Sequence, residues 1–496
     1  MPQDTPVNRR SFLETSALAA TAAATFTAKS YASILGANDR INVGFIGVGG
    51  MGGSHYTTCK KLEEKNNLAF VGVADIWTKR AKDAAGILGI PHPEFVKMEE
   101  EKKRIRAESA KQPKVSRTEA SDQLRKALAK VEEAARHLGT AVPAFQDYRK
   151  LLDNKDLNYV TIAVPEHWHA PITIDALAAG KAVYCEKPMT HNIPEAQAVL
   201  KKQAETKLPI QVGVQSTSDD SYTAAAEAIR GGLLGRVVQA QIEYVRRYDY
   251  QGPFRERGVT GKEPQPADLD WNAWLGHAPK MDWDPHHYYE WRAYSPYSGG
   301  ISTDLFIHRI TRIMKACDLK IPRRVVGMGG IWQWPDGRDT PDNFEMICEY
   351  PRGMTVYCLG TMSNRVGIDH LIRGYRGTMY FNSSGWIAKD KDDKTLGMYQ
   401  KKGAEDIGLH HTNLHNHLRH GEALNCPSDL GFYGVVAVNM AMQSWRSSTV
   451  MGWDAAQEKM VPAHTLNLPH TPDPADDPTS KFPKKPEKKK TESDEA

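Results

Sequence analysis

Ile41-Asn42-Val43-Gly44-Phe45-Ile46-Gly47-Val48-Gly49-Gly50-Met51-Gly52-Gly53 is the stretch that decides the fold. Its first six residues read as a short buried strand, and the next seven read as a glycine-rich turn opening a helix. Gly47, Gly49 and Gly52 stand at G-x-G-x-x-G spacing. The first glycine permits the tight turn, the second lets a pyrophosphate approach the backbone of Gly49, Gly50 and Met51, and the third lets helix and strand pack closely. The phosphates then meet the positive end of the helix. The next apolar run, residues 68–74, ends at Asp75, an acid placed to accept hydrogen bonds from the ribose hydroxyls of a dinucleotide. Its charge opposes a 2′-phosphate, so NAD is expected ahead of NADP. Arg80 complicates that choice: it either clamps a 2′-phosphate or lies along a solvated helix face, and the face is favoured.

Downstream the alternation continues. Residues 159–164 form a strand closed by Pro165, residues 172–179 a helix stopped by Gly180, and residues 182–185 a strand running into Glu186-Lys187-Pro188. A helix over 195–206 and a strand over 210–215 come after it. Strands alternating with helices predict a parallel sheet covered on both faces, so the fold class is α/β: an N-terminal Rossmann doubly wound sheet over residues 40–216. Residues 91–136 interrupt it with a Lys-, Arg-, Glu- and Ala-rich insertion read as one or two solvated helices. From 217 to 465 the pattern changes to alternating strands with turn signals such as Pro351-Arg352-Gly353. This predicts an α+β domain around an antiparallel sheet. A helix is expected over 302–316 and a last one over 434–447. Residues 466–496, rich in Pro, Lys, Asp and Glu, read as a disordered tail.

The first 32 residues read as a targeting segment. Asn8-Arg9-Arg10-Ser11-Phe12-Leu13 followed by an Ala/Thr-rich run resembles a twin-arginine export signal, which predicts a periplasmic or secreted protein exported folded with its cofactor tightly bound. The net charge of +4, from 64 basic and 60 acidic residues, gives no one-sided basic surface of the kind that binds nucleic acid. No apolar run reaches the roughly 18–20 residues that span a bilayer. The six cysteines include no C-x-x-C pair and are too sparse for a disulfide scaffold, though a bridge or two is left open.

Glu186-Lys187-Pro188 after a strand, preceded by Val164-Pro165-Glu166-His167-Trp168-His169 and followed by Ser298-Gly299-Gly300-Ile301-Ser302-Thr303-Asp304-Leu305-Phe306-Ile307-His308, resembles the Gfo/Idh/MocA oxidoreductases. The resemblance spans nearly the whole chain after the leader. It implies a second domain with an open-faced sheet used for homo-oligomerisation, and a catalytic set of Lys187, Asp304 and His308. The chemistry agrees independently. Oxidising a secondary alcohol needs a hydride acceptor, a base for the hydroxyl proton and a positive group beside the developing alkoxide. His308 suits the base, Asp304 lies four residues earlier on the same helix face, and Lys187 ends a parallel strand where such sheets bind ligands. Pro165, His169, Glu186, Lys187 and Gln215 are assigned to cofactor binding, with Pro165 and Trp168 walling the nicotinamide pocket. Trp168, Trp291, Arg292, His411 and Asn413 are assigned to a carbohydrate substrate. Among the family's features, the acid often found three residues after the histidine is Thr311 here, and Phe306 and Ile307 replace smaller residues. The dense run His410, His411, His415, His417 and His420 lacks the supporting ligands of a metal centre, and no metal is assigned.

The activity expected is an NAD(P)-dependent oxidoreductase acting on a hydroxyl or carbonyl of a sugar, sugar derivative or cyclitol. Two alternatives stand beside it: a glycosidase that keeps its NAD and runs a closed cycle of oxidation, elimination, hydration and reduction, and a non-catalytic sugar-binding protein on the same fold.

Overall fold

A computed structural model describes residues 39–111, 117–248, 252–256 and 258–468. The expected leader and residues 469–496 of the expected tail lie outside them.

Six parallel strands form the first sheet: β1 (Ile41–Ile46), β2 (Leu68–Ala74), β3 (Ala144–Phe145), β4 (Tyr159–Ile162), β5 (Ala182–Glu186) and β6 (Ile210–Gly213), in the order β3-β2-β1-β4-β5-β6. Every residue of β4, β5 and β6 is buried, as expected where helices cover both faces. The direction of winding reverses between β1 and β4, and that reversal opens a crevice at the carboxyl ends of the strands. β3, the two-residue edge strand, is too short to register in the apolar pattern.

The insertion forms two helices, His92–Lys111 and Arg117–Arg136. Phe95, Met98 and Ala135 are buried with Ile87 and Ile90, so the pair rests on the helix Thr78–Leu88. The remainder of the pair is largely exposed, and ion pairs such as Arg104–Glu108 at 3.0 Å add little stability in that setting.

The second sheet contains β7 (Val237–Arg247), β8 (Arg324–Gly330), β9 (Asn343–Tyr350), β10 (Met354–Thr361), β11 (Ser363–Asn364), β12 (Leu371–Gly374), β13 (Thr378–Asn382), β14 (Gly385–Lys389), β15 (Thr395–Gln400), β16 (Met451–Asp454) and β17 (Lys459–Pro462). Its order is β15-β14-β13-β12-β7-β10-β9-β8-β16-β17, with β11 paired to β7. The sheet is mixed rather than wholly antiparallel. β7 and β10 run parallel, because β10 returns from the β9 hairpin and enters beside β7 in the same direction. Alternate residues of β9 and β10 are buried under the helices Ile307–Cys317 and Ser428–Ser447. Their neighbours, with Met328 of β8, face outward, leaving the other face of the sheet open.

Two local departures matter for the site. The helix expected over 302–316 begins as a π-helical segment, Ile301–Phe306, and becomes α-helical only at Ile307–Cys317. The wider π turn changes the angle between Asp304 and His308 from that of a regular i, i+4 pair. The helix Ile407–His420, late in the chain, returns to the first sheet. Its Leu414 is buried with Val43, Phe45, Tyr159 and Tyr184, so it acts as one of the Rossmann layer's covering helices.

Candidate active site: a cleft at the crossover of the parallel sheet

A cavity of about 900 Å³ lies along the carboxyl ends of β1, β2, β4 and β5. One end is walled by Gly47, Gly49, Gly50 and Met51. Gly47 has φ +78°, and a Cβ there would come 2.6 Å from the Ala163 carbonyl oxygen; a Cβ on Gly52 would come 2.0 Å from that of Gly47. Only glycine fits either place. The helix Gly50–Lys61 has no side chain capping its start, so its first N–H groups are left for a ligand. These features fit a dinucleotide pyrophosphate.

Asp75 lines the same end, but its oxygens already accept from the backbone N–H of Val48 and Trp77, each at 2.9 Å. It therefore pins the glycine-rich turn as well as facing the cavity, and burial raises its carboxyl above the usual range. Arg80 lines the cavity and is partly exposed. Its guanidinium rests 4.6 Å from the Trp77 ring centroid and 5.6 Å from that of Tyr288, beside Gly49.

At the other end stands Lys187. Its Nζ donates to Asp304 Oδ1 at 2.6 Å and to the Asp304 carbonyl at 3.0 Å. Arg292 Nε donates to the same Oδ1 at 3.0 Å, and its guanidinium stacks 4.2 Å above Trp291. The two cations hold the Asp304 carboxyl far below its ordinary range despite burial. Lys187, Trp291 and Arg292 line the cavity, together with Pro165, Trp168, His169 and Glu186. Trp168 donates its Nε1–H to the Trp274 carbonyl at 2.8 Å, joining the parallel sheet to the aromatic segment of residues 269–297, which walls the cleft. His169 sets Nδ1 2.6 Å from the Pro188 carbonyl and Nε2 2.9 Å from that of Val164.

His308 stands just behind this front. It is absent from the cavity lining, its side chain keeps 14% exposure, and its Nδ1 has no hydrogen-bond partner. Burial, reinforced by the Lys187 charge, holds it well below the usual histidine range, so the ring is neutral near pH 7.

Three expected contacts sit elsewhere. Gln215 lies beneath Glu186, donating to its Oε1 at 2.6 Å and to the Tyr184 hydroxyl at 3.0 Å. Asn413 is consumed internally: it accepts from Gln211 and the Asn425 N–H and donates to Glu422 and the Ala423 carbonyl. His411 is fully buried, stacked 4.2 Å from Tyr184. Neither His411 nor Asn413 reaches the cavity, because the helix that carries them packs on the first sheet.

Two residues escaped the sequence reading. Glu166 is buried and accepts from Ser298 Oγ at 2.5 Å and Thr303 Oγ1 at 2.8 Å, while those hydroxyls accept from Gly300 N–H and Gly299 N–H. It thereby anchors the turn that delivers Asp304. Burial, with the Asp304 charge, raises its carboxyl to about 7. His55, on the helix after the glycine-rich turn, sets Nε2 2.9 Å from Glu186 Oε1. Its hydrogen bond, with the nearby Lys187 charge, holds Glu186 down to about 2 against the cost of burial. Glu166 stands inside the motif over 164–169, but nothing in sequence links it to Ser298.

The model of the oxidoreductase family's NAD-binding Rossmann fold, GFO_IDH_MocA, matches residues 101–214, and that of its C-terminal alpha/beta domain matches residues 220–470. The chain belongs to the Gfo/Idh/MocA oxidoreductase family. The Gly47–Gly52 turn lies before the first matched segment and rests on the geometry above. An inositol 2-dehydrogenase of Arthrobacter sp. (strain FB24) is 38% identical over 139 residues, 27% of this chain and 38% of its own length. A levoglucosan dehydrogenase of Pseudarthrobacter phenanthrenivorans is 31% identical over 114 residues, 23% of this chain and 29% of its own. The chain thus matches well under half the length of these relatives. A levoglucosan dehydrogenase structure in complex with NADH superposes with a TM-score of 0.54 over 86% of this chain and 99% of that one, at 17% identity, a likeness of fold.

Proposed function

We propose that this protein is an exported NAD-dependent oxidoreductase acting on a secondary hydroxyl, or the matching carbonyl, of a sugar, sugar derivative or cyclitol. The observation that carries the reading is Lys187: its ammonium, fixed by Asp304, stands in the same cavity as the glycine-rich turn. The names of the relatives, inositol and levoglucosan dehydrogenases, support a polyhydroxylated substrate. NAD supplies the hydride acceptor when bound. Lys187 donates a hydrogen bond to the substrate oxygen and favours its alkoxide form. Neutral His308, whose Nδ1 has no hydrogen-bond partner, takes the hydroxyl proton once a substrate draws up past the lining to the ring behind it. Arg292 and Asp304 orient Lys187, and Trp168 and Trp291 offer flat apolar surfaces for a sugar ring while excluding water. The open face of the second sheet, which carries Met328 and Ile347, is covered by a second copy of the chain.

The Arg9-Arg10 leader favours a second reading, because an exported enzyme meets little free nicotinamide: NAD stays bound and the cycle closes as glycoside cleavage. One experiment separates the readings. Purified protein is denatured and the supernatant assayed for nicotinamide; the native protein is then given a sugar panel with NAD, and aryl glycosides without it. NADH formation from a sugar supports the dehydrogenase. Glycoside cleavage without net NADH replaces it with the closed cycle. A protein that neither carries nor binds NAD loses both.

A further inference from the structure

Behind Glu186 runs a buried row of polar side chains that the reaction above does not use. Glu186 Oε1 lies 2.9 Å from His55 Nε2, and His55 Nδ1 lies 2.9 Å from His411 Nε2. His411 Nδ1 is 3.4 Å from the Tyr159 hydroxyl, which is 2.9 Å from His415 Nε2. His415 Nδ1 is 2.9 Å from the side-chain amide nitrogen of Asn66. All three histidines and Tyr159 are fully buried.

One direction of the hydrogens satisfies the whole row. An amide nitrogen only donates, so His415 Nδ1 is bare and its proton sits on Nε2. Burial holds His411 well below the usual histidine range and His415 down to about 3, so each ring carries a single N–H. His415 then donates to Tyr159, Tyr159 to His411, His411 to His55, and His55 to Glu186. The charges at the ends agree. Arg419 donates to the backbone carbonyl of Asn66 at the outer end, and the Glu186 carboxylate receives at the inner end. Every N–H and O–H dipole therefore points its positive end toward the anion. The row also cannot export a proton, because its outer terminus is a donor with no lone pair to accept one.

We propose that His55, His411, Tyr159 and His415 are positioning residues for Glu186: a one-way row of donors that fixes its carboxylate beneath Lys187 and couples the helix Ile407–His420 to the cofactor cleft. Glu186 Oε2 accepts the Lys187 backbone N–H at 3.1 Å, so a displaced carboxylate displaces the residue that carries the ammonium. The consequence for catalysis rests on the proposed dinucleotide site; the polarity of the row does not.

The test has two arms. In protein labelled with 15N-histidine, two-bond proton–nitrogen spectra distinguish a bare ring nitrogen from a protonated one. His55, His411 and His415 should each show a bare Nδ1 and a protonated Nε2, assigned by loss of signals in single variants. A protonated Nδ1 on any of the three overturns the one-way row. In the second arm, His411→Phe removes the donor and His411→Gln replaces it with an amide N–H. His411→Phe should lower NADH affinity or turnover about 10- to 100-fold, the usual effect of losing a residue that orients an active-site group, and His411→Gln should recover most of it. Tyr159→Phe, which removes one hydroxyl and no volume, serves if His411→Phe fails to fold, and should shift the His55 nitrogen signals while weakening NADH. Unchanged affinity and turnover in both folded variants overturns the positioning role. If the wild-type protein binds no NADH, the proposed function falls, while the nitrogen spectra still decide the row.

Discussion

Two polar clusters stand close together at Glu186, and they differ in what they face. On one side Lys187, Asp304 and Arg292 come from three separate elements and present two cations to an open cavity. On the other, His411, Asn413 and His415 come from one helix and spend their hydrogen-bonding atoms on protein. By sequence the second cluster is the denser and draws the eye first. What separates them is unsatisfied capacity: Arg292 and Lys187 border solvent-filled space, whereas the histidine helix is closed by Tyr159, Tyr184 and Gln211. A cluster of titratable residues becomes a binding site only where its donors are left something to bind.

The sharpest way to break this contrast is Lys187→Ala. Turnover should fall about 10²- to 10⁴-fold, with NADH affinity, measured by fluorescence, nearly unchanged. Unaltered turnover would leave the open cluster without a catalytic role. Next comes Glu166. Its carboxyl is raised, so the folded state binds its proton more tightly than the unfolded chain does. Its contribution is most favourable below pH 4.5 and is lost as pH rises toward about 7. The displacement from 4.5 to about 7 corresponds to about 3 kcal/mol at about 1.36 kcal/mol per pKa unit. Glu166→Gln should therefore gain on the wild type by that order in urea unfolding between these pH values. Glu195, also raised to about 7, titrates in both proteins and cancels in the difference. A flat difference across that range would remove the ionisable anchor.

Asn413→Ala tests the closed cluster. It leaves Gln211, Glu422 and the Asn425 N–H short of a partner, which should cost about 1–3 kcal/mol in denaturant unfolding, with kcat little changed. A large loss of kcat without loss of stability would return this residue to the substrate contacts. The smallest effect is expected outside both clusters. Ile347→Lys, on the open sheet face, should shift sedimentation toward monomer without altering the fold. A wild type that sediments as monomer at micromolar concentration would dispose of the second copy.

Much of the cofactor end was legible. Gly47 and Gly52 reveal themselves because backbone geometry admits no other residue there, a local constraint, and Gly49 by its fixed spacing between them. Lys187 was legible for a related reason, since the end of a parallel strand is a fixed place relative to the crossover. The placing of Arg80 against the cavity was less legible, because the aromatic wall of Trp77 and Tyr288 on which it rests is assembled from residues about two hundred positions apart. The packing of the helix Ile407–His420 on the first sheet and the parallel pairing of β7 with β10 were not legible, since both depend on the path of the chain through the whole fold.

The sequence by itself determined the alternation that builds the parallel sheet, the turn that fits a pyrophosphate, the place of Lys187 at a strand end and the four-residue spacing of Asp304 and His308. Each comes from short-range rules: a period, a steric limit, a strand end. Tertiary structure alone decided which of the chemically able residues face the cleft. It turned Arg292 onto Asp304, withdrew His308 behind the cavity wall, closed His411 and Asn413 into the core, and brought Glu166 and His55 into service. Those outcomes depend on long-range packing, in which a donor's partner is set by which surface covers it rather than by its neighbours along the chain.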